Sequence, residues 1–252
     1  MELTVNRFKR ALREGQPQIG IWSSLASHIV AEILAHAGFD WVLLDTEHSP
    51  NEVPMVLAQL QAMTGGTATP VVRPAWNDMV LVKRYLDLGA QTLLLPYVQT
   101  AEEAANAVRF SRYPPRGVRG VAGSTRAAGY GRTREYLKRA HEEVCVLVQA
   151  ETRLALRNLE AIAEVEGVDG IFIGPNDLAA DLGHLGDWQH PEVWRAMEDA
   201  AERIRRAGKA PGILVGEADG RRCLDMGFLF VAVGADVALL ARGADALAAK
   251  FR

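Results

Sequence analysis

Eight short apolar runs recur along the chain without the polar alternation of a half-exposed strand. They are QIGIWS (18–23), WVLLD (41–45), TPVVR (69–73), QTLLLP (91–96), VCVLVQ (144–149), DGIFIG (169–174), APGILV (210–215) and FLFVAVG (228–234). Runs of this kind, rich in Val, Ile and Leu, predict parallel strands covered on both faces. Between them lie segments with apolar residues at helical spacing, such as HIVAEILAHAG, EVPMVLAQLQAM, VLVKRYLDLG and AEEAANAVRFSR. Gly38, Gly89, Gly167 and Gly227 each stand between a helical segment and the next strand. Glycine there takes the left-handed conformation that ends a helix. Repetition of this unit over 252 residues predicts an α/β fold, a (β/α)8 TIM barrel filling 1–252 as one domain. An open doubly wound sheet is the competing architecture, but no Gly-rich dinucleotide fingerprint follows any strand. The N-terminal stretch MELTVNRFKRALREG predicts an additional amphipathic helix, and VALLARGADALAAKF near the C-terminus is apolar enough to need covering.

Composition narrows the class. At 49% hydrophobic, the chain holds a substantial core, and its formal charge of -3 gives no reason to expect nucleic acid or an anionic membrane as partner. No apolar run reaches the ~20 residues that span a bilayer. Charges interrupt the N-terminal stretch, unlike a signal peptide. Two cysteines, Cys145 in a predicted strand and Cys223 in a predicted helix, do not make a disulfide framework, so a reducing cytoplasm is the expected location.

In a barrel of this kind, chemistry gathers at the C-terminal ends of the strands. The second run ends in Asp45, followed by Glu47 and His48; the third ends in Arg73; the fifth ends in Gln149, followed by Glu151; and the sixth runs into GPND, placing Asp177 just beyond it. Each has a plainer reading. Asp45, Glu47 and Asp177 suit helix caps, Glu151 suits the first turn of a helix, His48 suits a solvated loop, and Arg73 suits a structural ion pair. Arriving together from four strands, they suit one pocket instead. Glu151 and Asp177 are hard oxygen ligands, too few to cage an ion alone, which leaves positions for water and an oxygen-bearing substrate around an octahedral cation. Arg73 then suits charge stabilisation on a polarised 2-oxo group and His48 suits proton transfer, with Asp45 or another acid orienting the imidazole. Lys9, Lys83, Lys138, Lys209 and Lys250 are the only lysines. None ends a strand, which argues against a Schiff base.

The motifs LLDTEHSPNEV, PVVRPAWND, RYPPRGVRGVAGSTRA, VLVQAET, VEGVDGIFIGPNDLAADLG, HPEV and FVAVGADVALLARGADALAAKF resemble the HpcH/HpaI family of class II pyruvate aldolases. The likeness runs in order along nearly the whole chain. It implies a divalent cation (Mg²⁺, Mn²⁺ or Co²⁺) and reversible cleavage of 4-hydroxy-2-oxo acids to pyruvate and an aldehyde. By the same resemblance, His48 is the general base, Arg73 binds pyruvate and stabilises its enolate, and Glu151 and Asp177 hold the metal. Gln149, Gly174, Pro175, Asn176 and Asp177 contact substrate, while Asp45 and Asp87 are acids supporting the histidine. Read from sequence alone, Asp87 is an exposed residue near a helix C-terminus. DTEH stands where many relatives have DGEH; Thr46 is small enough to be harmless there, although a backbone in a glycine-only conformation would strain it. The C-terminal helix is expected to pack on a neighbouring subunit in a homohexamer. The segment RYPPRGVRGVAGSTRAAGYGR carries Arg116, Arg119, Arg126 and Arg132 and reads as a loop over the pocket, taking an acidic or polyhydroxylated aldehyde or making a subunit contact. Two competing readings are a CoA-ester lyase of the citrate-lyase or malyl-CoA type, for which no dedicated basic tract is evident, and a catalytically idle barrel binding 2-oxo acids.

Overall fold

The strands form where the apolar runs place them, within two residues at either end. They are β1 (Gln18–Ser23), β2 (Trp41–Asp45), β3 (Thr69–Arg73), β4 (Thr92–Leu95), β5 (Cys145–Ala150), β6 (Gly170–Ile173), β7 (Ala210–Leu214) and β8 (Phe230–Ala235). In the computed structural model, which describes residues 1–252, they close into a barrel in sequence order, every neighbouring pair parallel. Helices α1 (Arg7–Arg13), α2 (His28–Ala35), α3 (Val53–Ala62), α4 (Met79–Asp87), α5 (Ala101–Ser111) and α6 (Tyr136–Glu143) accompany the first half. The second half carries α7 (Arg153–Arg157), α8 (Leu159–Ala163), α9 (Pro175–Asp181), α10 (Pro191–Arg206), α11 (Glu217–Asp225) and α12 (Asp236–Ala249). Gly38, Gly89, Gly167 and Gly227 take φ values of 95, 96, 101 and 90°, the left-handed conformation expected at the helix-to-strand junctions. The N-terminal helix is shorter than expected because Asn6 caps it, accepting from the Lys9 N–H. No helix is long and apolar enough to cross a membrane.

The period of two along each strand sorts side chains between two cores. Val42, Leu44, Val72, Leu93, Val146 and Val148 face outward into the layer shared with the helices. Trp22, Trp41, Leu43, Val71, Leu94, Leu147, Phe172 and Phe230 fill the barrel, and Phe8 and Leu12 of α1 join them from the N-terminal end. Phe8 meets Phe230 edge-on at 5.8 Å, and Trp41 lies 6.1 Å from Phe230. Rings this large fit inside eight strands only because neighbours are small. A Cβ on Gly20 would overlap the Trp41 indole, and one on Gly212 would overlap the Phe230 ring. The same alternation carries Asp45 above Leu43, Arg73 above Val71 and Gln149 above Leu147, all inward at the C-terminal end.

The arginine-rich segment does not lie over that end. Helix α5 follows β4 and brings the chain back to the start of the strands, so residues 112–135 run along the N-terminal end of the barrel. There Arg119 is fully buried over the Tyr113 ring at 4.4 Å and pairs with Asp87 at 2.6 Å. Arg126 donates to the Leu88 carbonyl at 2.7 Å, and the N-terminal ammonium donates to the Arg132 carbonyl at 3.0 Å. The expectation of a loop over the chain's own pocket is therefore corrected. The segment's glycines and length suit a loop, but the intervening α5 reverses the chain and sets that loop at the opposite end.

Gly212→Ala is expected to destabilise the barrel by about 1–3 kcal/mol through overpacking against Phe230. Gly216→Ala, whose added Cβ would meet nothing within 4 Å, is expected to stay within about 0.5 kcal/mol. Urea unfolding of the two variants compares them, and equal stabilities would remove the packing argument.

Candidate active site

Arg73 is the hub of the C-terminal end. Parallel register sets it directly beside Asp45 on the neighbouring strand. Its Nε donates to Asp45 Oδ1 at 2.9 Å and its Nη2 to Asp45 Oδ2 at 2.7 Å, a two-pronged pair between side chains that are nearly fully buried. Fork-to-fork geometry fixes the guanidinium plane. Arg73 Cζ lies 5.0 Å from the centroid of the Trp22 ring, whose indole N–H donates to Asp45 Oδ2 at 3.2 Å. Burial alone would raise the Asp45 carboxyl, but Arg73, the Glu47 N–H and the Trp22 indole together hold it below its ordinary value. Asp45 therefore clamps Arg73. Toward His48 it offers only a long contact of 3.5 Å to the backbone N–H, which corrects the expectation that it orients the imidazole. The His48 side chain is exposed at the rim.

The third guanidinium nitrogen reaches across the barrel. Arg73 Nη1 donates to Gln149 Oε1 at 3.3 Å, and Gln149 Nε2 donates to Glu151 Oε2 at 2.7 Å. Gln149 thus bridges the arginine to the first of the two expected metal ligands. Glu151 is buried, and its other oxygen accepts the Tyr97 N–H at 2.9 Å. Gly174 is small for this carboxylate's sake, since a Cβ there would overlap Glu151 Oε2. Gly174 and Pro175 are buried, while Asn176 and Asp177 are exposed in the first turn of α9. The structure brings Arg73, Asp45, Gln149, Glu151 and Asp177 to one end of the barrel. Asp87 it does not bring: that residue sits at the far end of α4, paired with Arg119.

A further acid, Glu47, joins the site from beyond the end of β2. Glu47, which also suits a helix cap, does not cap α3, whose cap position is Glu52. Instead Glu47 Oε2 lies 2.8 Å from Arg73 Nη1. The contact lies off the hydrogen-bonding direction, so it is an ion pair without a directed bond. Glu47's spacing two residues after Asp45 was the available signal, because a chain turning over the rim can point both inward. Thr46 between them is unstrained: it is absent from the left-handed region, and its hydroxyl donates to the Arg73 carbonyl at 2.7 Å. Burial, followed by the charges of Asp177 and Glu47, pushes the Glu151 carboxyl up to about 7. Burial also raises Glu47, and Asp45 and Asp177 add to that against Arg73.

The charge of Asp177 helps to raise both Glu47 and Glu151, a concentration of negative charge that suits a cation. Their oxygen-only donor set, with Glu151 buried and Asp177 exposed, fits a hard divalent ion. Mutual repulsion is what such an ion relieves. None of the lysines joins them: Lys9 donates to the Val144 carbonyl at 2.5 Å and Lys209 to the Val168 carbonyl at 2.7 Å, both at the starts of strands.

Residues 18–243 match the HpcH/HpaI aldolase/citrate lyase family. The chain belongs to that family. It is 59% identical over 248 residues to a 4-hydroxy-2-oxo-heptane-1,7-dioate aldolase of Klebsiella pneumoniae subsp. pneumoniae, covering 98% of this chain and 94% of the relative. A pyruvate aldolase of Rhizobium etli is also 59% identical, over 252 residues, covering 100% of this chain and 99% of the relative. Among solved structures, a family protein from Burkholderia cenocepacia superposes with a TM-score of 0.95 at 43% identity, covering 98% of this chain and 100% of that one. The class II aldolases of this family generally depend on a divalent metal.

Asp45→Asn keeps the shape but removes the charge that clamps Arg73, and is expected to lose about 1–3 kcal/mol of stability. Trp22→Phe keeps a ring beneath the guanidinium and removes only the indole donor, so about 1 kcal/mol is expected. Urea unfolding measures both. A Trp22→Phe variant less stable than Asp45→Asn would contradict the clamp.

Proposed function

We propose that this chain cleaves 4-hydroxy-2-oxo acids reversibly to pyruvate and an aldehyde, using one divalent cation held by Glu151 and Asp177. The observation that carries the reading is a buried guanidinium, fixed by Asp45, sharing one barrel end with three mutually repelling carboxylates. Mg²⁺, Mn²⁺ or Co²⁺ bound there supplies Lewis-acid polarisation of the 2-oxo carbonyl. Arg73 keeps an Nη1 edge toward the pocket, where it holds the substrate carboxylate and the charge developing on the adjacent oxygen. His48 removes the proton of the C4 hydroxyl, the C3–C4 bond breaks, and the aldehyde leaves. The electron pair left on C3 makes the pyruvate enolate, and a proton returned to C3 gives pyruvate. Gln149 keeps Arg73 and Glu151 in one frame, while Gly174, Pro175 and Asn176 line the approach from β6.

The homo-oligomer belongs to the same proposal. Only Asp236 of α12 is buried, whereas Val237, Leu239, Leu240 and Leu247 are exposed along it and Phe251 is 85% exposed just beyond. An apolar helix of this kind on a monomer's surface suits burial against a second copy, consistent with the expected hexamer. Since Asp87 and the arginine segment face away from their own site, they serve a catalytic site only in a neighbouring copy. Two buried, unpaired thiols, Cys145 and Cys223, suit the reducing cytoplasm proposed as its location.

Oxaloacetate decarboxylation needs only the stabilised enolate and so avoids the choice of aldehyde. Chelator-treated protein is expected to be inactive, to recover with Mg²⁺ or Mn²⁺, and to yield no borohydride-trapped lysine adduct. Activity indifferent to chelation would overturn the proposal. Arg73→Ala is expected to lose at least about a hundredfold in rate, and His48→Ala to lose aldol cleavage while sparing decarboxylation. Equal loss of both reactions in His48→Ala would remove the base assignment.

A further inference from the structure

A second group of donors lies in the connection between α9 and α10, and the aldolase reading leaves it unused. One ligand atom from each of His184, His190 and Glu192 lies within 4.8 Å of the other two. His184 Nε2 is 2.9 Å from Glu192 Oε2, and the two imidazoles are stacked with centroids 3.6 Å apart and planes 17° from parallel. The backbone that presents them is folded rather than loose. The His184 N–H donates to the Ala179 carbonyl at 2.8 Å, the Asp187 N–H to the His184 carbonyl at 2.9 Å, and the His190 N–H to the Asp187 carbonyl at 3.1 Å. Both rings are half-buried and Glu192 is exposed, so the cluster opens to solvent on one side.

We propose that His184, His190 and Glu192 form a binding site for a late first-row divalent cation of the Zn²⁺ class, separate from the carboxylate site. Two imidazoles and one carboxylate are a borderline-soft donor set that favours Zn²⁺, Ni²⁺ or Cu²⁺ over Mg²⁺. The spacing agrees: two donors each about 2.0–2.2 Å from one ion stand roughly as far apart as His184 Nε2 and Glu192 Oε2 do here. His184 now donates its Nε2 proton to Glu192; the ion takes that proton's place, and the proton leaves to solvent. Water completes the coordination on the open side. Binding has one local cost. His190 Nδ1 accepts the Glu192 N–H at 3.2 Å as the cap of α10. A neutral imidazole ligating through either nitrogen has no Nδ1 lone pair left for that bond. Occupancy therefore trades a helix cap for a metal tie between α10 and the segment leading from α9, the helix that carries Asp177.

The test counts metal per chain by equilibrium dialysis of the intact, chelator-treated protein against Zn²⁺ or Mn²⁺ alone. The wild-type protein is expected to take up one more equivalent of Zn²⁺ than of Mn²⁺. His184→Ala and Glu192→Gln are each expected to lose that extra equivalent while keeping their Mn²⁺ uptake and far-ultraviolet circular dichroism. Zn²⁺ is also expected to raise the wild-type Tm further than it raises that of either variant. Equal uptake of the two metals by the wild type would overturn the proposal, as would an extra Zn²⁺ retained by both variants. Failure of all Mn²⁺ uptake would count against the carboxylate site alone, because the Zn²⁺ difference between wild type and variants would still report on these three residues.

Discussion

The ion pair between Asp45 and Arg73 is the constraint around which the rest of the site is arranged. Parallel pairing of β2 and β3 sets the two residues side by side, and the inward alternation of both strands sends their side chains into the same barrel mouth. A buried pair of this kind is weak evidence for stability, because desolvation offsets most of its Coulomb attraction. Its value lies in position. With two donors occupied by Asp45, the guanidinium has one edge left, and that edge faces Gln149, Glu47 and the space between them. A freely rotating arginine would pay for its ordering at every turnover; this one is ordered by folding.

Positive charge fixed in this way makes the neighbouring carboxylates tolerable, but not all of them. Arg73 touches Asp45 and Glu47 directly, whereas Glu151 receives only neutral donors, the Tyr97 N–H and the Gln149 amide. The division shows in the carboxyls themselves. Asp45 is held below its ordinary value, Glu47 is raised despite its arginine, and Glu151 is raised furthest. One guanidinium cannot neutralise four acids in a desolvated mouth. The remaining negative charge lies toward Glu151 and Asp177, which is where a cation has the most to contribute.

Much of this was legible in the sequence because strand periodicity is strict. A run such as WVLLD, once read as a barrel strand, fixes that Asp45 shares a face with Trp41 and Leu43, and the same logic placed Arg73 and Gln149. Two features were not legible, for different reasons. Glu47 belongs to a turn beyond the strand, where no period applies and a cap is as good a reading as an ion pair. The partner of Asp45 depends on which residue the adjoining strand sets beside it, and a one-dimensional pattern favoured the nearest histidine over an arginine 28 positions away. The arginine segment is a different case. Its end of the barrel follows from parity alone, since each strand carries the chain toward the catalytic end and each helix carries it back, and α5 precedes it.

That parity has a structural consequence for the far end. Asp87, Arg119, Tyr113 and Tyr136 form a packed, charged patch there, and burial, against the lowering charge of Arg119, pushes the Tyr113 hydroxyl up to about 12. The Arg119 guanidinium is enclosed with Nε and Nη1 lacking hydrogen-bond partners, so the Tyr113 ring face and the Asp87 carboxylate are what hold its charge. An arrangement that buries a cation this completely is tolerated only if the surrounding backbone is held in place, and the contacts from Arg126 to Leu88 and from Met1 to Arg132 do that. The two ends of the barrel thus solve the same electrostatic problem in opposite ways. At the far end one carboxylate and an aromatic face balance the charge of one arginine and close the space around it. At the catalytic end one arginine faces an excess of acids, and the space stays open.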